Sequence, residues 1–128
     1  MNLFAEISAG ELIDKITILE IKLDRIRDEA KRANIARELA GLIQALEQSI
    51  GGDEAVADLR RELKTVNAEL WRIEDDIRAQ ERAQNFGPDF VSLARSVYRE
   101  NDRRADLKRQ LNLLTRSALV EEKSYAAY

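Results

Sequence analysis

From residue 56 to residue 77 the apolar side chains fall at Val56, Leu59, Leu63, Val66, Leu70, Ile73 and Ile77. The steps alternate three and four, over three heptads. Only an α-helix carries such positions on one line, whereas a strand would scatter them over two faces. This segment must therefore be a long helix with an apolar seam, and it needs a partner helix to cover that seam. The rest of the chain agrees, with one proline and five glycines in 128 residues. The expected fold class is all-α, an antiparallel helical bundle built around a long coiled-coil-like hairpin.

The punctuation sets the expected boundaries. Ser8-Ala9-Gly10-Glu11 reads as a capping box, with Ile7 and Leu12 as its hydrophobic staple. A first helix then runs from about 9 to 28, with one stripe at Leu12, Ile16, Leu19, Leu23 and Ile26. That stripe loses phase in the polar stretch 27–34, and a new one starts at Ile35, Leu39, Leu42, Leu46 and Ile50. A break is the favoured reading over a stutter within one helix, giving a second helix over about 34–50. Gly51 can take a left-handed stop, and Asp53 caps the next helix, over about 54–84. Asn85-Phe86-Gly87-Pro88 turns the chain, Pro88 opening a last helix over about 88–116. Residues 117–128 form a tail that either prolongs this helix or folds back. No repeat or linker divides the chain, so 1–128 reads as a single domain.

Composition narrows the chemistry. The chain has no histidine and no cysteine. Imidazole and thiolate catalysis and ordinary zinc or haem sites are excluded, leaving carboxylate, amine and guanidinium groups. No cofactor or metal is expected. The start, Met1 to Ser8, has no basic residue and no long apolar run follows, so neither a secretory signal nor a membrane span is read and a cytoplasmic location is expected. The net charge of −3 is uneven: residues 86–128 hold 8 basic and 6 acidic side chains. Arg95, Arg99 and Arg103 are interleaved with Glu100, Asp102 and Asp106, as on a solvated helix face. Aromatic residues are too few for a stacking platform, and nucleic acid is not an expected partner.

Helix length points to a partner of another kind. At ~1.5 Å per residue the last two helices are each about 43 Å long and the first two nearer 25–30 Å. The hairpin end, around residues 71–100, should protrude past the short helices while still carrying Ile73, Ile77, Phe90, Leu93 and Val97. A homodimer covering that end is expected.

Polar residues on the seams mark the candidate site, because a buried polar group needs a partner. In the last helix the stripe meets Glu100, Asn101 and Arg104 where apolar residues would continue it. A turn near 86/87 sets these against the preceding helix, giving a layer of Asn67, Trp71, Glu74, Tyr98, Asn101, Asp102 and Arg104. Its favoured role is to fix register as a hydrogen-bonded layer, with ligand binding as the alternative. A second cluster, Glu11, Asp14 and Lys15, lies on the first helix. If that helix runs beside the third, Asp14 and Lys15 come level with Arg60, Arg61 and Asn112, and Glu121, Glu122 and Lys123 could return there. Glu11 and Asp14 have the spacing of a Mg²⁺-binding carboxylate pair, but exposed charge pairs explain it more simply.

The segments ISAGELIDKITILEIKLDRI (7–26), VNAELWRIEDDIR (66–78), FVSLARSVYRENDRRADLKRQLN (90–112) and ALVEEKSY (118–125) resemble a family of short bacterial helical proteins catalogued as a domain of unknown function. The resemblance spans nearly the whole chain and implies no activity. It implies only that Glu11, Asp14, Lys15, Glu20, Lys22, Asn67, Trp71, Glu74, Tyr98, Asn101, Asp102, Lys108, Asn112 and Glu121 to Tyr125 fall within the family's recognisable segments. The functional expectation is a homodimeric interaction or binding module, with a protein partner possible. The alternative is a small carboxylate-and-cation enzyme acting on an anionic or phosphorylated metabolite.

Overall fold

The computed structural model describes residues 1–128 as four helices and no strand: α1 (Ala9–Arg25), α2 (Glu29–Ser49), α3 (Glu54–Arg82) and α4 (Pro88–Leu114). Three of the starts follow the sequence. Ser8 Oγ accepts from the Glu11 amide at 3.1 Å, Asp53 Oδ1 accepts from the Val56 amide at 3.1 Å, and Pro88 opens α4 behind Gly87. The capping box is only half closed, because the Glu11 side chain turns away to Lys108.

The break between the first two helices is shorter and earlier than the polar stretch implied. α1 ends at Arg25 and α2 begins at Glu29 rather than near 34, with the Asp28 carboxylate accepting from the Lys31 amide at 3.2 Å. Arg32 reaches back to the Leu23 and Ile26 carbonyls and satisfies the end of α1. Glu29 to Asn34 are helical but almost wholly solvated, which is why no apolar stripe announced them.

The far ends of α3 and α4 close two residues before their expected limits, in the same way. Gln84 and Arg116 both adopt φ of 55°. At each, the next amide bonds back to a carbonyl five residues earlier, Asn85 to Gln80 at 2.9 Å and Ser117 to Asn112 at 2.8 Å. These are glycine-type stops without glycine, so the sequence carried no signal for them. Gly51, at φ 72°, is the ordinary case.

α3 and α4 fold back on one another, and α1 packs against both of them and against α2; the α2 backbone comes close only to α1. The core therefore gathers around α1: Leu12, Ile13, Ile16 and Leu19 meet Ile35, Leu39 and Leu46 of α2, Val56, Leu63 and Val66 of α3, and Leu107 and Leu111 of α4. α1 does not bury a single stripe. Gly10, Leu12, Ile13, Asp14, Ile16, Thr17, Leu19 and Ile21 are all buried, as a helix enclosed on several sides requires.

Nor does α1 lie alongside α3 in the expected register. Gly10 meets Asn112 of α4, Asp14 meets both α3 and α4, and Glu20 faces Arg60 and Lys64 of α3. α1 crosses the hairpin, and the crossing point is Asp14.

Beyond the crossing the hairpin runs on alone. Ile73 is the last buried residue of α3 and Leu107 the first of α4; no residue from 74 to 106 is buried. No helix is long and apolar enough to cross a membrane.

Candidate functional site

Asp14 sits on the face of α1 that meets both arms of the hairpin and is 1% exposed. A buried carboxylate is tolerated only when its charge is matched and its lone pairs are occupied. Arg104 supplies the match in a two-point contact, Nε donating to Oδ1 at 2.9 Å and Nη2 to Oδ2 at 2.5 Å. Asn67 Nδ2 donates to Asp14 Oδ1 and to Thr17 Oγ1, both at 2.9 Å, and the Thr17 hydroxyl donates to the Asp14 carbonyl at 2.8 Å. Four side chains from three helices thus close one buried network. Hydrogen bonding to Asp14 holds the Arg104 guanidinium above its usual pKa against the opposing effect of burial.

One turn away Lys108, also buried, stands between two carboxylates, Glu11 at 2.9 Å and Glu121 at 2.7 Å. Burial disfavours its charge, but hydrogen bonds to Glu121 and Glu11 outweigh that and raise its pKa. Beyond Lys108, Asn112 Oδ1 accepts from the Gly10 amide at 2.7 Å, while its Nδ2 is buried without a partner. The ladder Asn112, Lys108, Arg104 uses four-residue steps, so three polar groups of α4 face α1 in a row.

The tail folds back along α4. Glu121 binds Lys108, Glu122 stands 3.5 Å from Arg109, and Lys123 binds Asp102. The Tyr128 ring packs on Tyr98, with centroids 4.9 Å apart. Hydrogen bonds from Lys123 and then Tyr128 hold Asp102 below the usual carboxylate range, and the bond to Asp102 raises the Tyr128 phenol above its own.

These shifts predict a pH window for tail docking. The Asp102 contribution is fully present above the ordinary aspartate pKa and is lost as pH falls through the lowered one. The Tyr128 contribution is present below the ordinary tyrosine pKa and is lost as pH rises through the raised one. Nuclear Overhauser contacts between Tyr98 and Tyr128 should hold across neutral pH and vanish in strong acid. Contacts unchanged in strong acid would contradict this.

Of the residues singled out in the sequence, Asp14, Asn67 and Arg104 meet in one network, although they were assigned to two clusters. Glu11 joins through Lys108. Lys15 does not: it turns to Glu38 of α2, 2.9 Å away. Trp71 and Glu74 line a shallow groove of about 320 Å³ with Ile18, Ile21, Asn67, Leu70, Asp75, Arg78 and Arg104. Tyr98, Asn101 and Asp102 lie with Arg104 along a larger space of about 1360 Å³ between α4 and the tail. The expected seven-residue layer is therefore split, with Arg104 lining both spaces.

Thr17 and Gly10 are not among the residues singled out in the sequence, and Lys108 enters there only through the family resemblance. Thr17 and Gly10 stand three and four positions from Asp14, a spacing that puts them on its face. The carboxylates Glu11 and Asp14 each bind a separate cation, Lys108 and Arg104, so the pair is neutralised by the protein itself. Chemically the cluster is a set of interhelical clamps. Its open surface is the α4 side, where Arg104, Lys108 and Arg109 present cations beneath the tail.

No curated protein and no solved structure matches this chain. A family model does, over residues 3–128 and hence over all four helices and the tail: the chain belongs to a family of unknown function, DUF6165.

Proposed function

We propose that the chain is an interaction module that works as a homodimer, with the protruding end of the α3–α4 hairpin as the surface where two copies meet. The observation that carries this reading is the absence of any buried residue from 74 to 106, in a stretch that holds Ile77, Phe86, Phe90, Val91, Leu93 and Val97. Phe86 is 50% exposed and Val91 51%. Two helices without a third to cover them leave much of their apolar surface in water, and each fully buried side chain of this size would contribute about 1.5–3 kcal/mol.

Size and charge both suit self-association. Residues 88–104 of α4 extend about 25 Å, and two packed helices are about 20 Å across. The footprint is on the order of 500 Å² flat and larger once side-chain relief is counted, near the ~800 Å² per partner of a standard interface. Residues 74–99 carry four basic and five acidic side chains, so two copies related by a two-fold axis can pair opposite charges instead of repelling.

The test is molar mass by light scattering at tens of micromolar. Twice the 14.6 kDa of the chain is expected. Val91→Glu, an exposed substitution that leaves the core untouched, should place two charges in the dimer surface. It should weaken dimerisation by about tenfold or more, with unchanged helicity. A monomer at those concentrations would overturn the reading.

A further inference from the structure

The tail is fastened to α4 in an unusual manner. After Ser117 none of its backbone groups is hydrogen-bonded to the protein, and every residue from Glu121 to Tyr128 is exposed. It is held by side-chain tips alone: Glu121 on Lys108, Glu122 on Arg109, Lys123 on Asp102, and the Tyr128 ring on Tyr98. The Glu122–Arg109 and Lys123–Asp102 pairs are solvent-accessible and contribute about 0–1 kcal/mol each, and only Glu121 meets a buried partner, Lys108. The tail also does not fill the surface that it covers, since about 1360 Å³ remains between it and α4. A segment added only to complete the core would bury apolar side chains, and this one buries none.

The face beneath it is patterned. Where the tail touches it, α4 offers from its C-terminal side two cations (Arg109 and Lys108), a carboxylate (Asp102) and an aromatic ring (Tyr98), with Asp106 and Arg104 lining the space between. The tail presents the complement in order: two acids, a base and an aromatic ring. We propose that this face of α4 is a docking site for an extended acidic segment ending in an aromatic residue, supplied by a partner protein, and that the chain's own tail occupies it until that partner displaces it. The site runs along α4 from the α1 crossing to Tyr98 and shares residues 98–104 with the span assigned to the dimer footprint, but it rests on the contacts of the tail and not on the uncovered apolar residues, so it goes beyond the dimer reading and is argued independently of it.

The experiment uses a fluorescein-labelled peptide of residues 117–128 and follows anisotropy on the full-length protein. In the wild type the attached tail competes. In full-length Glu121→Gln/Tyr128→Ala the tail loses two of its anchors, all of them outside the core, and the site opens. Apparent affinity scales with the open fraction, so the peptide should bind this variant about tenfold tighter than the wild type, or more. Arg109→Glu added to the variant should weaken binding several-fold, and a peptide carrying Glu122→Arg should restore it. That reversal reads the contact itself, and Arg109 is half exposed, so the fold is preserved. Equal affinity for wild type and variant, no binding, equal binding of a scrambled peptide, or no rescue by the reversed pair would each overturn the proposal. The dimer mass is unaffected by any of these outcomes.

Discussion

Asp14→Ala is expected to lose about 2–4 kcal/mol of stability, the largest effect of any single truncation of a polar side chain in this protein. The change strips Arg104 of its two-point partner and takes one of the two acceptors from Asn67 Nδ2. Breaking a fully buried pair by removing one partner costs about 3–5 kcal/mol. The Arg104 side chain keeps 30% of its exposure and can recover some hydration, which lowers the figure.

Asp14→Asn should be no milder. It conserves shape but turns an amide N–H₂ toward donors that cannot accept. The double variant Asp14→Leu/Arg104→Met removes both charges and should recover most of the loss, because the pair's worth lies in its matching. Urea denaturation of the wild type, Asp14→Leu, Arg104→Met and the double variant measures the coupling. A coupling energy near zero would mean that the contact does not hold the three helices together.

The second large effect is at Gly10. A methyl group there would stand 2.5 Å from the Lys108 carbonyl oxygen, 2.9 Å from Asn112 Oδ1 and 3.0 Å from the Lys108 carbonyl carbon. The nearest obstacle is helix backbone, so α1 must move away from α4, stretching the Gly10–Asn112 hydrogen bond and the Glu11–Lys108 pair. Alanine is the better helix former by up to ~1 kcal/mol, but overpacking against backbone costs about 1–3 kcal/mol. Gly10→Ala should therefore lower stability by about 1–2 kcal/mol and Tm by several degrees, and Gly10→Val by more. Gly41, with nothing within 4 Å of its would-be Cβ, is the internal control: Gly41→Ala should raise Tm slightly. A Gly10→Ala protein as stable as the wild type would show that the α1–α4 contact is not close.

The hairpin was readable because its information is local. Three heptads of seam define α3, Pro88 and Gly87 define the start of α4, and the surplus length of both over α1 implies a free end. What escaped the sequence depends on the path of α1. Placed alongside α3, Asp14 belongs with Arg60 and Arg61; laid across the hairpin, it lands on Asn67 and Arg104. Periodicity reports which face a helix buries but not the angle at which it crosses a neighbour, so the three members of one network were assigned to two clusters. One signal was present in the density of apolar residues: Leu12, Ile13, Ile16, Ile18, Leu19 and Ile21 surround the helix and do not line one stripe. Gly10 shows the same limit. In sequence it is a spacer inside a capping box, and only the approach of α4 gives it a reason to be glycine. The start of α2 was missed because the Asp28 cap precedes a turn that buries nothing.

The dimer reading ties these features together: α1 clamps the lower half of the hairpin, and a second copy covers the upper half. Amide hydrogen exchange as a function of protein concentration tests that division directly. A two-helix end without a core opens easily when alone, whereas the clamped region exchanges only by larger unfolding. Between low and high micromolar protein, protection of amides in 74–106 should rise with concentration, while that of residues 12–21 of α1 stays high throughout. Protection of the hairpin end that is independent of concentration, from submicromolar upward, would contradict it.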